Sequence, residues 1–92
     1  MLIAVVALAA KAQNITVKGT VVEASTNEPL IGATVKVKGT GTGTVTNFDG
    51  EYQLNVDKNA TLVFSSIGYK TVEQAVNGRT TINVSLVDDT ND

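Results

Sequence analysis

Between Ile15 and Leu86 the apolar residues recur at every second position, in short runs broken by turn-forming residues. That spacing belongs to strands with one buried face; an amphipathic helix would repeat its apolar positions every three or four residues. In "ITVKGTVVEA", Ile15, Val17 and Val21 share a face opposite Thr16, Lys18 and Thr20. "ATVKVK" turns Ala33, Val35 and Val37 inward and Thr34, Lys36 and Lys38 outward. Outward lysines of this kind are expected to guard a sheet edge. "GTVTN" is a short strand, and "EYQLNV" buries Tyr52, Leu54 and Val56. "TLVFSS" buries Leu62 and Phe64, "KTVEQAV" is a more polar strand, and "TTINVSL" closes the series on Ile82, Val84 and Leu86.

The punctuation between these runs is turn chemistry. "STNEPLIG" carries Pro29 and Gly32. In "NFDG", Asn47 to Gly50, the pair Asp49-Gly50 predicts the positive φ of a tight hairpin, with the Asp49 carboxylate capping its own turn. Gly68 marks another positive-φ position, and Asn77-Gly78 is a hairpin signal. Seven short strands without an amphipathic helix predict an all-β fold, a seven-stranded antiparallel β-sandwich whose core is the inward residues. The expected organisation is a signal-peptide remnant over 1–12, a sandwich domain over 13–87 and an acidic exit linker over 88–92.

Residues 2–10, "LIAVVALAA", are uniformly apolar, and Ala10-Lys11-Ala12 supplies a small-x-small cleavage site. The run falls short of the roughly 20 apolar residues that span a bilayer. The basic residue that normally precedes such a segment is missing, so the remnant is expected to be incomplete.

Composition closes several routes to function. The chain has no histidine and no cysteine, so zinc sites of the usual ligands, thiol nucleophiles and Ser-His-Asp triads are excluded within it. Its formal charge of −2 and scattered cations argue against nucleic acid as a partner. The run Gly39, Gly41, Gly43 superficially resembles a phosphate loop, but such a loop leads into a helix, and here strand, turn and strand follow. These glycines are expected instead to let the backbone bulge and cross between sheets. Asp49 with Asp57 or Glu51 lacks the alternating acidic run of a calcium loop. Asn14, Asn59 and Asn83 head glycosylation-acceptor triplets, which are short enough to arise by chance. Tyr52 and Phe64 fit core positions; Tyr69 is the aromatic residue left open as a contact. Neither catalytic residues nor a cofactor are expected.

Taken together, Pro29-Leu30-Ile31-Gly32-Ala33, the Gly39–Gly43 run, Thr46-Asn47-Phe48-Asp49-Gly50 with Tyr52, and Ser66-Ile67-Gly68-Tyr69-Lys70 resemble the carboxypeptidase-D regulatory-like domain. The closer resemblance is to the copy at the N-terminus of SusC/RagA-type TonB-dependent outer-membrane receptors of Bacteroidetes. It implies a transthyretin-like (Ig-like) Greek-key sandwich on the periplasmic side of the outer membrane, ahead of a plug and barrel that import glycans or peptides. TonB is the implied partner, and a SusD-like lipoprotein would be reached only through the parent receptor. The expected role is an accessory domain acting through protein contacts. The alternatives are a glycan- or peptide-binding module and a structural spacer.

Overall fold

The structure is a computed structural model that describes residues 14–89. The expected signal segment lies outside the described residues. The strands are β1 (Asn14–Glu23), β2 (Thr34–Val37), β3 (Gly43–Val45), β4 (Glu51–Asp57), β5 (Thr61–Ser65), β6 (Val72–Ala75) and β7 (Val84–Leu86). They form a three-stranded sheet, β4-β1-β7, and a four-stranded sheet, β3-β2-β5-β6. The all-β sandwich follows the sequence expectation, with one correction: β7 runs parallel to β1, Val21 beside Val84 and Glu23 beside Leu86. The remaining strand pairs are antiparallel.

Four of the six connections pass from one sheet to the other; only β2–β3 and β5–β6 are hairpins. This reassigns several turns. The Gly39–Gly43 run closes the β2–β3 hairpin within one sheet, the Val37 amide donating to Thr42 at 2.9 Å, and does not cross between sheets. Asn47–Gly50 and Asn77-Gly78 have the backbone of tight turns, yet each leads to the opposite sheet and neither closes a hairpin. Lys36 and Lys38 flank no open edge, because β2 is an inner strand. Local turn chemistry fixes the bend of the chain but not which strand the next segment joins.

The inward alternation survives intact. Val17, Val21, Ala33, Val35, Tyr52, Leu54, Val56, Leu62, Phe64, Ile82, Val84 and Leu86 are buried together, joined by Val76 from the β6–β7 connection. Phe64 of one sheet meets Tyr52 of the other edge to face, with ring centroids 5.5 Å apart and planes at 69°. Such pairs add about 0.5–1.5 kcal/mol to the burial of their area. The Tyr52 hydroxyl donates to the Ile82 carbonyl at 2.6 Å, so its polar end is satisfied inside the core.

Of the described glycines, Gly19 has the least room for a side chain. A Cβ there would sit 2.0 Å from the Ile82 carbonyl oxygen. The Lys18 amide donates to Thr80 and the Ile82 amide to Lys18, each at 3.0 Å, which brings this segment against β1 before β7 begins.

Burial pushes the Tyr52 hydroxyl up to about 12, with the Arg79 charge pulling the other way. The unfolded chain releases this proton near the ordinary value of 10, whereas the folded chain holds it until about 12. Tyr52 therefore stabilises the fold fully below pH 10, and that contribution is lost as pH climbs from about 10 to about 12. Alkaline unfolding followed by circular dichroism should show this loss. Tyr52→Phe should remove the tyrosine's share of it, at a cost of about 1 kcal/mol at neutral pH.

Candidate contact surface

The strand registers sort the loops into two groups. Thr34 lies beside both Val45 and Ser65, Glu23 beside Leu86, and Glu51 beside Thr20. Residues 24–33, 46–50, 66–71 and 87–89 therefore gather at one end of the sandwich, called here the Phe48 end. Residues 38–42, 58–60 and 76–80 gather at the other, the Lys58 end.

The Phe48 end is built around Thr46, the one buried polar residue among those described. Its hydroxyl accepts from the Ala33 amide at 2.9 Å and donates to the Leu30 carbonyl at 2.5 Å. The Thr46 backbone also accepts from Gly32 at 3.1 Å, so two loops from different connections are clamped together. Thr46→Val keeps the shape but leaves the Ala33 amide and Leu30 carbonyl without this partner. It is expected to cost roughly 1–3 kcal/mol in denaturant unfolding.

One turn further on, the Asn47 side-chain oxygen accepts from the Asp49 and Glu51 amides, both at 2.9 Å. The cap expected of Asp49 is thus made by Asn47, an Asx turn that starts two residues earlier. Gly50 has φ 74° and is buried; a Cβ there would meet the Val21 oxygen at 2.7 Å and the Pro29 side chain at 2.8 Å. Pro29 therefore seats the β3–β4 connection while bridging to Val22 of β1. Of the three glycines in the Gly39–Gly43 run, only Gly39 has positive φ. Gly41 meets nothing, and Gly43 lies in β3, where a Cβ would press on the Val35 carbonyl at 2.7 Å.

The β5–β6 loop is a tight turn, Tyr69 donating to Ser66 at 3.0 Å across Ile67 and Gly68. The Gly68 φ of 91° is the geometry a type II turn demands of its third residue. The Asp89 amide donates to Gly68 at 2.8 Å and the Lys70 amide to Val87 at 2.9 Å, which ties the start of the acidic segment to this loop. Tyr69 is not a free surface ring: it is half-buried against the core. Burial, together with the Glu23, Asp88 and Glu28 carboxylates, raises its hydroxyl above the ordinary range.

The side chains that reach solvent are ones the alternation could not flag. Phe48 is 81% exposed and Ile67 99%, and Ile31, Val45 and Val87 are exposed as well. These are all the large exposed hydrophobics among the described residues; four lie in the loops of the Phe48 end, and Val45 is the last residue of β3, where that strand enters the same end. Ile31, Phe48 and Ile67 stand in turns, where no strand period applies. Their only sequence signal is an apolar residue inside turn chemistry.

An open groove of about 660 Å³ runs along β1, β3 and β4, lined by Lys18, Thr20, Asn47, Glu51 and Gln53 among others. Asp49 and Asp57, considered together as a cation pair, lie at opposite ends of β4. Asp57 instead caps the β4–β5 turn, accepting from the Asn59 amide at 2.7 Å. Among the described residues, no three acidic side chains converge as a metal-binding set.

A two-sheet sandwich with no helix among the described residues, its loops presented at its ends, defines a class of small β-domain. Within that class, the chain belongs to the CarboxypepD_reg-like domain family, which it matches over residues 17–92. It is 52% identical over 79 residues to the TonB-dependent receptor SusC of Bacteroides thetaiotaomicron, covering 86% of this chain and 8% of the receptor. It is 42% identical over 83 residues to the TonB-dependent receptor P3 of Formosa agariphila, covering 89% of this chain and 8% of that protein. The sequence is thus that of one domain of such a receptor, and it spans less than a tenth of the length of these relatives.

Proposed function

We propose that this chain is the non-catalytic, periplasmic N-terminal accessory domain of a SusC-like TonB-dependent outer-membrane importer of glycans or peptides, and that it acts through protein–protein contacts. The observation that carries the proposal is its 52% identity to SusC over most of the chain. What it exposes agrees: apolar turn tips at one end and open strand edges at β3, β4, β6 and β7. TonB is the partner proposed first, since an edge strand could accept a strand from it by β-augmentation.

The test is an NMR titration of the isotope-labelled domain with the periplasmic part of TonB. Saturable shifts confined to one surface are expected; a flat titration at high partner concentration removes TonB as the partner. Calorimetry with candidate glycans is expected to be silent, and measurable heat of binding would favour a substrate-sampling module instead.

A further inference from the structure

We propose that the Phe48 end is a docking face for a protein surface with an apolar centre and a Lys/Arg rim. This rests on the protein-contact reading above and replaces its strand edge with a particular set of side chains. The first support is the one-sided distribution of exposed apolar groups. Scattered single hydrophobics are ordinary on a monomer, whereas a grouping marks an interaction site. Here four of the five large exposed hydrophobics of the described residues sit in the loops of one end of the sandwich, and the fifth, Val45, ends β3 next to them.

The second support is rigidity. Phe48 stands in a turn closed by the Gly50 amide donating to Asn47 at 2.9 Å and capped by the Asn47 side chain. Ile67 stands in the Ser66–Tyr69 turn, itself tied to residue 89. Apolar anchors held in place before binding lose little freedom on docking, which is the economy of a preformed hot spot.

Charge selects the occupant. Six carboxylates surround these tips: Glu23, Glu28, Asp49, Glu51, Asp88 and Asp89, against one lysine, Lys70. The Lys58 end instead carries Lys38, Lys58 and Arg79, with Lys38 paired to Glu73 at 3.0 Å. An acidic collar repels an anionic lipid surface and complements a basic protein rim. A second copy docking through its Lys58 end would make a head-to-tail contact, which must close into a ring or run on as a filament, and among the described residues that end offers no exposed large hydrophobic to the apolar tips. The chemistry therefore favours a different protein over both a membrane and self-association.

The experiment places the photo-crosslinker benzoylphenylalanine at Phe48, at Ile67 and, as a control at the other end, at Asn59 in the receptor that carries this domain. The expected result is crosslinking from positions 48 and 67, but not 59, to one protein at a segment flanked by lysine or arginine. Glu28→Lys with Asp88→Lys should weaken that product several-fold. Crosslinks equal at all three positions, or confined to lipid or to a second copy, would overturn the proposal, as would their absence. Phe48→Asp with Ile67→Asp supplies an independent readout, since both side chains are solvent-exposed and the melting temperature should hold. Import should fall to the level of a receptor lacking the domain. If removing the domain lowers import while this pair leaves it at the wild-type rate, the accessory role stands and this face is wrong.

Discussion

Replacing Gly19 with alanine is expected to destabilise the domain by roughly 3–5 kcal/mol, the range of the most damaging single substitutions. The position is an exposed-looking glycine in a strand, and propensity alone would predict a gain from alanine there. Geometry reverses the sign. The new methyl would lie 2.0 Å from the Ile82 carbonyl oxygen, which belongs to backbone and cannot rotate away. Relief requires the 80–82 segment to lift from β1. That would strain the Lys18–Thr80 and Ile82–Lys18 hydrogen bonds and the Tyr52 hydroxyl bond to the same carbonyl. For a domain of this length, even about 3 kcal/mol lowers the melting temperature by roughly 12–24 °C. Thermal unfolding by circular dichroism checks it. Gly41→Ala is the control, because a Cβ at Gly41 meets nothing and its φ is not positive.

Phe64→Ala should cost a comparable amount, about 3–5 kcal/mol. Phe64 is fully buried in β5 and is the largest of the fully buried side chains among the described residues. Its ring is the cross-sheet partner of Tyr52, so truncation removes the edge-to-face contact and opens a cavity between the sheets. Small domains bury a limited share of their surface and have few other contacts over which to spread the loss. Phe64→Leu, which keeps most of the volume, should recover more than half of the stability in urea unfolding.

The sandwich was legible because its signal is local and repeated. Alternation in five of the runs named the inward residues one by one, and Tyr52, Phe64 and Leu86 all lie where the period puts them. Pairing was not legible to the same degree. Asp49-Gly50 and Asn77-Gly78 do adopt positive φ at their glycines, yet the strands that follow join the other sheet. A turn's φ and ψ are set by its own residues, whereas the choice of sheet depends on long-range burial. The parallel β1–β7 contact is long-range in the same way, joining the two ends of the described chain. Gly19 carried a signal that was available, since glycine within a strand marks a close backbone approach.

The contact surface was the least legible part. Tyr69 is left open as a contact because Tyr52 and Phe64 fit inward positions; its ring is partly buried against the core and partly exposed. Phe48 and Ile67 were inside motifs that resembled turn punctuation, and their exposure depends on how the loops clamp around Thr46 and Gly68. Residue type in a turn does not reveal which way a side chain points.

The central claim is that this domain contributes to import by touching another protein, and neither by chemistry nor by holding substrate. Its most direct measurement compares nutrient uptake by cells carrying the intact receptor with uptake by cells whose receptor lacks residues 13–87, at matched amounts of barrel in the outer membrane. The account predicts a clear fall in uptake rate with nutrient affinity at the cell surface unchanged. Uptake at the intact rate, or a loss of affinity that accounts for the whole fall, would contradict it.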